Sequence, residues 1–279
     1  MKTKISEEKK KYFEEKYIKR YREQKNKNNW ADYRNRGNSN KFVSTDVNFK
    51  YLGRKKVWKP IEDKNAIELQ ESRGIGINED TTIDSIIENI NSSMILVESD
   101  LLRIKELDWI LGQLKREDSI KTFLEIGFRV PKIQEHYKNI MNCEAYGLDI
   151  NNFNVELFKE LGFNVHQFDL NKDNNISENL NTKFDLICCY HVLEHVEDPE
   201  KSLEEVFNAL KDAGILHIEI PIESQNPQIE YGHLIGFEPN ELGNLITQLG
   251  HKIIYASNET HTGGSWIERY TVVKGSSYD

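Results

Sequence analysis

The segment from Phe184 to Pro221 constrains the fold more than any other part of the chain, because it contains a complete strand–helix–strand pattern. The run Phe184–Tyr190 is short and almost entirely apolar, as expected for a parallel strand that is buried on both faces. Asp198-Pro199 is a typical helix start, and the apolar residues that follow repeat with helical spacing. Gly214 is then the expected helix stop. With Ile215–Ile220 as the second strand, the segment predicts one βαβ unit of a parallel sheet.

Strands and helices alternate along the chain from Thr122 onward. The predicted strands are Thr122–Gly127, Ala145–Asp149, Asn164–Asp169, Phe184–Tyr190, Ile215–Ile220, Lys252–Ala256 and Arg269–Val273. The predicted helices are Pro131–Ile140, Asn151–Leu161, Pro199–Lys211 and Asn240–Leu249. Alternation of this kind forces a parallel sheet with right-handed crossovers. The last two strands are joined by a segment too short for a crossover helix, so they should pair antiparallel. The sequence therefore predicts an α/β fold with a doubly wound, seven-stranded, mostly parallel sheet and a final antiparallel hairpin.

The first 120 residues are predicted to form a mainly helical extension of this sheet. Residues 1–60 contain 19 Lys and Arg against 7 Asp and Glu, so they carry +12, while the whole chain carries −9. We interpret residues 1–60 as a basic arm and lid, residues 61–120 as a helical cap that includes a helix from Ser99 to Leu114, and residues 121–279 as the α/β domain. A basic arm on an acidic body can steer anions, but we favour the interpretation in which the arm is a solvated helix that docks on that body.

The composition argues against a membrane protein and favours a reducing compartment. No apolar run approaches the roughly 20 residues that span a bilayer, and the N-terminal residues lack the apolar core of a signal peptide. The three cysteines, Cys143, Cys188 and Cys189, have neither a disulfide pattern nor a metal-binding spacing. We therefore expect a cytoplasmic protein without a membrane span.

The segment Phe184–Glu200, which contains His-Val-Leu-Glu-His-Val-Glu-Asp-Pro from residue 191, resembles the class I S-adenosylmethionine-dependent methyltransferases of the small-molecule type. The resemblance runs from about Thr122 to Lys274 and includes the final antiparallel hairpin. It implies a Rossmann-like fold, a transferase activity and S-adenosyl-L-methionine as the cofactor. Residues 121–279 would then be the S-adenosylmethionine-binding methyltransferase domain.

The resemblance also implies which residues follow the first strand in the cofactor site. Glu125 corresponds to the acidic residue that supports the first cofactor loop, and Gly127 to the first loop glycine. Members of the family have two further glycines in this loop, whereas this chain has Arg129 and Pro131 at those positions. Two alternatives follow: either Arg129 pairs with the carboxylate of the cofactor, or the loop has lost its ability to bind the cofactor.

The ends of the next strands carry the remaining cofactor residues that the resemblance implies. Asp149, followed by Ile150, corresponds to the carboxylate that accepts hydrogen bonds from both ribose hydroxyls, although it could instead serve as a helix N-terminal charge. Asp169 and Leu170 correspond to the adenine contact, although Asp169 could simply begin the polar loop after it. Tyr190 lies at the end of the fourth strand, near the methionine part of the cofactor.

The segment His191-Val-Leu-Glu194-His195 has three interpretations. An inverted zinc-peptidase motif would need a long helix, and here the segment follows a buried strand, which disfavours it. Glu194 and His195, with His233 further on, could hold a divalent metal, as in some methyltransferases that this stretch resembles; histidine ligands would favour zinc or manganese over magnesium. In the third interpretation, which we favour, no metal binds, Glu194 and His195 brace the loop, and His191 faces the substrate as a base, with His233 as the second catalytic candidate.

The function predicted from these residues is S-adenosylmethionine-dependent methylation of an oxygen, and less readily a nitrogen, on a small or glycan-like metabolite that can be phosphorylated. One alternative is an RNA methyltransferase that uses the basic arm on the phosphate backbone, although acidic residues within the arm disfavour nucleic acid. Another alternative is a degenerate, non-catalytic methyltransferase fold that acts as a binding partner. The oligomeric state, including a homodimer, is left open by the sequence.

Overall fold

The computed structural model describes residues 96–128, 131–160, 162–222, 233–260 and 266–275. The predicted basic arm, the first part of the predicted cap and Arg129 lie outside these residues. Among the described residues, no helix has the length and apolar character needed to cross a membrane.

Within the described residues, the sheet has seven strands in the order β3-β2-β1-β4-β5-β7-β6. Their bounds are β1 Thr122–Ile126, β2 Glu144–Asp149, β3 Val165–Gln167, β4 Phe184–Tyr190, β5 Leu210–Ile222, β6 Lys252–Thr260 and β7 Trp266–Val273. Neighbouring strands from β3 to β5 pair in parallel, and β7 pairs antiparallel with both β5 and β6. The predicted α/β fold, with its mostly parallel sheet and final antiparallel hairpin, is confirmed.

The first described helix precedes the sheet, and the other helices of the described residues lie between strands along the chain. Their bounds are α1 Leu96–Gln113, α2 Lys132–Ile140, α3 Asn152–Glu160, α4 Ile176–Asn179, α5 Pro199–Ala209 and α6 Glu241–Gln248, with short 3₁₀ turns at Glu117–Ser119 and Leu193–His195. α1 corresponds to the helix predicted from Ser99 to Leu114. α4 was not predicted, because four residues are too few to show a helical period.

β4, α5 and β5 form the βαβ unit that the sequence predicts. β4 lies between β1 and β5, and six of its seven residues are buried. The side chain of Asp198 caps α5 by accepting a hydrogen bond from the backbone N–H of Lys201 at 3.1 Å. Pro199 is the first helical residue, where its missing N–H has no cost. The cap and the apolar stripe together place α5 against the sheet.

The structure differs from the prediction at the start of β5. α5 ends at Ala209, and Leu210 already pairs with Phe184 of β4 before the register shifts. Gly214 is not the predicted helix stop, because the left-handed residue here is Ala213, with φ of 57°. Instead, the missing side chain of Gly214 allows a close approach: a Cβ there would lie 2.9 Å from the carbonyl oxygen of Lys211 and 3.1 Å from that of Phe184.

The two faces of the sheet differ in chemistry. The face covered by α5 and α6, which we call the apolar face, presents residues such as Leu124, Ile187, Ile218 and Val272. The face covered by α1 and α2, which we call the charged face, also has an apolar cluster, but it buries polar and charged side chains of three strands as well. These are Glu125, His217, Glu219, Arg269 and Thr271.

Candidate active site

The residues that the sequence assigns to a cofactor follow neighbouring strands at one edge of the sheet. β1 pairs with β2 and β4 in parallel, so Ile126 lies opposite both Leu148 and Cys189. Gly127, Asp149 and Tyr190 therefore come together where these three strands end. Open α/β sheets bind ligands beyond the carboxyl ends of their strands, which makes this edge the candidate active site.

Glu125 and Gly127 shape the loop between β1 and α2. Glu125 is buried, and its Oε2 accepts a hydrogen bond from the backbone N–H of Gln134 in the first turn of α2 at 3.2 Å. Gly127 has φ of 72°, and its N–H donates to the carbonyl oxygen of Leu148 at 2.7 Å. A Cβ on Gly127 would lie 2.4 Å from Cγ2 of Val192, so only glycine fits between the loop and the end of β4. Glu125 thus supports the loop, and Gly127 allows its turn.

Asp149 and Ile150 lie at the end of β2. Asp149 is buried, and its Oδ1 accepts a hydrogen bond from the backbone N–H of Asn151 at 2.8 Å. This bond fixes the carboxylate at the carboxyl edge of the sheet, next to the loop of Gly127. Ile150 is half-buried, and its carbonyl oxygen accepts a hydrogen bond from Nε2 of Gln167 at 3.1 Å. A fixed carboxylate at this position suits a ligand with paired hydroxyls.

Asp169 organises its own turn after β3. Its Oδ1 accepts a hydrogen bond from the backbone N–H of Asn171 at 3.0 Å, and its Oδ2 lies 3.4 Å from Nζ of Lys172. The neighbouring Leu170 is buried in the core of the apolar face. These contacts correspond to the alternative in which Asp169 begins the polar loop. An adenine contact would use the same carboxylate, in addition to its bonds to Asn171 and Lys172.

Tyr190 packs inside the charged face. Its hydroxyl donates to Sγ of Cys188 at 3.3 Å, and the guanidinium carbon of Arg103 lies 4.9 Å from the centroid of its ring. Tyr190 is 8% exposed, and Arg103 of α1 lies over its ring. Its position allows a backbone contact with a cofactor at the edge, but the side chain is already occupied by the charged face.

His191 bridges two buried carboxylates. Its Nδ1 lies 3.2 Å from Oε1 of Glu194, and its Nε2 lies 2.9 Å from Oε1 of Glu219. Its backbone has φ of 53°, and its N–H donates to the carbonyl oxygen of Glu219 at 3.0 Å. Burial alone would lower the pKa of His191, but the hydrogen bonds and charges of Glu194 and Glu219 raise it to about 9. A pKa of about 9 favours the imidazolium form, in which both ring N–H groups donate to these carboxylates, whereas a general base needs a near-neutral pKa and an accessible nitrogen. The catalytic role of His191 stays a prediction.

Glu219 is the centre of a buried ion network that the sequence did not predict. Arg103 of α1 and Arg269 of β7 both donate to its carboxylate, Nε of Arg269 to Oε2 at 2.7 Å. Arg269 also donates from Nη1 to Oε2 of Glu106 at 2.6 Å. Burial would raise the pKa of Glu219, but Arg103 and Arg269, with His191, hold it well below its usual value. The network fixes α1, β5 and β7 to one another and ends at the ring of His191.

Three further side chains meet on the other side of His191. Glu194 and His195 belong to the 3₁₀ turn after β4, and His233 reaches them from the chain that leads to α6. The rings of His195 and His233 are 4.8 Å apart between centroids and nearly perpendicular. Burial would raise the pKa of Glu194, but the hydrogen bond from His191 and the nearby histidines hold it below its usual value. The sequence had singled out all three residues, and the structure brings them together.

Comparisons with known proteins agree on the type of fold. A family profile described as a methyltransferase domain matches residues 105–261. A putative sarcosine dimethylglycine methyltransferase from Galdieria sulphuraria superposes with a TM-score of 0.51 and 12% identity, covering 64% of this chain and 88% of that chain. An S-adenosylmethionine-dependent methyltransferase from Clostridium acetobutylicum superposes with a TM-score of 0.51 and 14% identity, covering 70% and 100%. A search of proteins with curated annotation found no match.

Proposed function

The chain belongs to the methyltransferase domain family, and on that basis we propose that it transfers a methyl group from S-adenosylmethionine to a small-molecule acceptor. The observation that carries the proposal is the arrangement at the carboxyl edge of the sheet. Glu125 and the glycine turn at Gly127 follow one strand, and the buried carboxylate of Asp149 ends the strand beside it. This arrangement suits a ligand with an amino-acid part at the loop and a ribose at the carboxylate.

Each part of the cofactor has a proposed partner in this chain. The loop from Glu125 to Gly127 faces the methionine part, and Arg129 pairs with its carboxylate through two parallel hydrogen bonds. Asp149 accepts hydrogen bonds from the ribose hydroxyls, while Ile150 and Leu170 contact the adenine, with Asp169 at its amino group. When bound, S-adenosylmethionine supplies an electrophilic methyl group on its sulfonium.

Methyl transfer from a sulfonium depends chiefly on holding the acceptor atom in line with the methyl group and on excluding water. We propose that His191 is a positioning residue, because its ring is held by Glu194 and Glu219 at the end of β4. Glu219 is in turn fixed by two arginines, which gives the histidine a rigid support. No side chain is assigned as the general base, and His233 is proposed as an acceptor-side residue.

For the acceptor, we propose a small or glycan-like metabolite that is methylated on oxygen. Glu194, His195 and His233 support this choice, because they form a polar cluster beside the strand end at which the methyl group would be transferred. Such a cluster suits an acceptor rich in oxygen atoms, including a phosphorylated one. We also propose a reducing, cytoplasmic environment, supported by the free, buried thiols of Cys143, Cys188 and Cys189.

Calorimetry with S-adenosylhomocysteine, the product of methyl transfer, tests the proposal. The wild-type chain should bind it, and Asp149→Asn should weaken binding roughly 10- to 100-fold, because a neutral amide replaces a carboxylate that accepts two hydrogen bonds. Asp212→Asn is the matched control, since that exposed aspartate lies near the start of β5, at the opposite edge of the sheet, and should leave affinity unchanged. Absence of binding to the wild type would favour the degenerate fold, and wild-type affinity in Asp149→Asn would remove the ribose contact.

A further inference from the structure

Two histidines and a glutamate converge next to the candidate active site. Glu194 and His195 are held by the 3₁₀ turn after β4, and the carbonyl oxygen of Glu194 accepts hydrogen bonds from the backbone N–H groups of Leu234 and Ile235, at 2.6 and 3.1 Å. These two bonds bring His233 alongside the turn. One ligand atom from each of Glu194, His195 and His233 lies within 4.8 Å of the other two.

The carboxylate of Glu194 gives an independent indication that something binds here. Glu194 is 0% exposed, and its Oε1 is engaged by Nδ1 of His191. Its Oε2 is also buried, yet it accepts no hydrogen bond from any of the residues that the structure describes. Leaving a buried carboxylate oxygen unsatisfied costs more than about 1–3 kcal/mol, so such an atom normally has a partner. The ring of His195 lies near this carboxylate without a hydrogen bond to its other oxygen, because its Nε2 is 4.0 Å from Oε1.

We propose that Glu194, His195 and His233 bind a divalent cation, with Oε2 of Glu194 as the carboxylate ligand. A tetrahedral site with bonds of about 2.1 Å separates its ligand atoms by about 3.4 Å, somewhat less than the 4.8 Å limit found here. Small rotations of the side chains are therefore enough to close the site. The metal would supply the missing partner of Oε2.

The ligand set selects the kind of cation. Two imidazoles and one carboxylate suit zinc and similar transition metals, whereas magnesium and calcium prefer sites made mainly of oxygen atoms. Three protein ligands also leave a coordination position available, as in zinc sites that bind a further molecule. The expected occupant is thus zinc, and cobalt(II) is a suitable spectroscopic substitute for it.

The buried ion network provides the outer support that such a site needs. His191 donates to Oε1 of Glu194, and its other nitrogen donates to Glu219, which Arg103 and Arg269 hold in place. Residues that orient a ligating carboxylate typically change metal affinity by about 10- to 100-fold when they are replaced. The network therefore fixes the direction of the Glu194 carboxylate relative to the two histidines.

Metal titration of the full chain tests this inference. Protein treated with a chelator and then dialysed should bind one cobalt(II) per chain, with a visible absorption band of imidazole- and carboxylate-bound cobalt, and zinc should displace it. Glu194→Gln, His195→Asn and His233→Asn should each weaken binding at least tenfold, and His191→Asn should weaken it less than these three. The matched control is His166→Asn, because His166 lies on β3, away from this cluster, with its ring near Asn164.

The titration measures metal binding directly and requires no methyl transfer, so its result does not depend on the proposed methyltransferase activity. The three-ligand site would be overturned if the wild-type chain showed no cobalt band, or if any one of the three ligand variants bound cobalt(II) with wild-type affinity. An equal loss of affinity in His166→Asn would show that binding is not specific. Circular dichroism should confirm that each variant is folded. If Glu194→Gln does not fold, the two histidine variants decide the question, since His195 is half-buried and His233 is 8% exposed, whereas Glu194 is fully buried.

Discussion

The two faces of the sheet are covered by helices in different ways, although they share the same strands. On the apolar face, α5 and α6 pack through side chains such as Leu203 and Leu242 against the sheet. On the charged face, α1 buries Arg103, Glu106 and Asp108, each with a partner in another element. Asp108 is paired with the ring of His136 on α2 at 3.0 Å.

The two faces should therefore respond differently to mutation. An apolar face tolerates the loss of one contact in proportion to the cavity that is left. A buried ion network instead depends on every member, because removal of one partner leaves the others charged, desolvated and unpaired. The charged face is also the one connected to the candidate active site, since Glu219 contacts both Arg103 and His191.

Removal of Glu219 should have the largest effect. Glu219→Leu leaves two buried guanidinium groups without their carboxylate, and we expect it to lower the free energy of unfolding by about 3–5 kcal/mol. Ile218→Val, one residue away on the apolar face, should cost only about 1 kcal/mol. Urea unfolding measures both. If the two variants lost similar amounts of unfolding free energy, the buried ion network would be no more sensitive to mutation than the apolar face.

Leu203→Ala on α5 should lower the free energy of unfolding by about 2–5 kcal/mol, because it leaves a cavity in the apolar core. It should not disturb the ring of His191, because the carboxylate of Glu219 that contacts this ring lies on the charged face. Arg103→Met should disturb the ring of His191, because it removes one of the groups that hold Glu219. Imidazole NMR signals distinguish these outcomes, and a shifted His191 signal in Leu203→Ala would show that the faces are not independent.

His217 should make the charged face sensitive to acid. Burial lowers the pKa of His217 to about 3, from an ordinary value of 6.5. Between these values the unfolded chain binds more protons than the folded one, so stability is complete above pH 6.5 and falls as the pH drops toward 3. The contribution is at most about 1.4 kcal/mol per pH unit.

His217→Asn should therefore reduce the slope of unfolding free energy against pH on the acid side. Ile218→Val on the apolar face is the matched control and should keep the wild-type slope. Urea unfolding at a series of pH values provides the measurement. An unchanged slope in His217→Asn would mean that this histidine becomes protonated without unfolding the protein.

The smallest expected effect concerns the start of α5. Asp198→Ala removes the side chain that accepts the N–H of Lys201, and it should cost about 1 kcal/mol. Asp198→Asn keeps an acceptor oxygen and should lose less. Thermal unfolding can compare the two variants with the wild type. Equal losses in both would attribute the effect to the negative charge at the helix N-terminus instead of the hydrogen bond.

Local patterns predicted most elements of the fold, because a helix or strand usually has a recognisable pattern of apolar and capping residues within a short stretch of sequence. The buried run of β4, the Asp198 cap and the short final connection were sufficient for the sheet and its antiparallel end. The start of β5 was misplaced, because Leu210 fits a helical stripe and a strand equally well. The polar end of β6, residues 257–260, and the start of β7, residues 266–268, were also missed, since the pairing of these residues with each other extends the two strands.

The partners of individual side chains could not be predicted in the same way. Glu219 binds Arg103, which is 116 residues away in the sequence, and no local spacing relates the two. The signal that was available is a carboxylate inside the apolar run of β5, between Ile218 and Ile220. The spacing of His191 and Glu194 suggested a contact, but it did not show that the other nitrogen of His191 lies 2.9 Å from Oε1 of Glu219.

We propose that the carboxyl edge of the sheet binds the methyl donor despite the altered loop after Gly127. A crystal structure of the full chain with S-adenosylhomocysteine would show whether it does. We predict the ribose at the carboxylate of Asp149 and the amino-acid carboxylate at the guanidinium of Arg129. A structure in which Arg129 fills the space beside Gly127 and the ligand is absent would contradict the account.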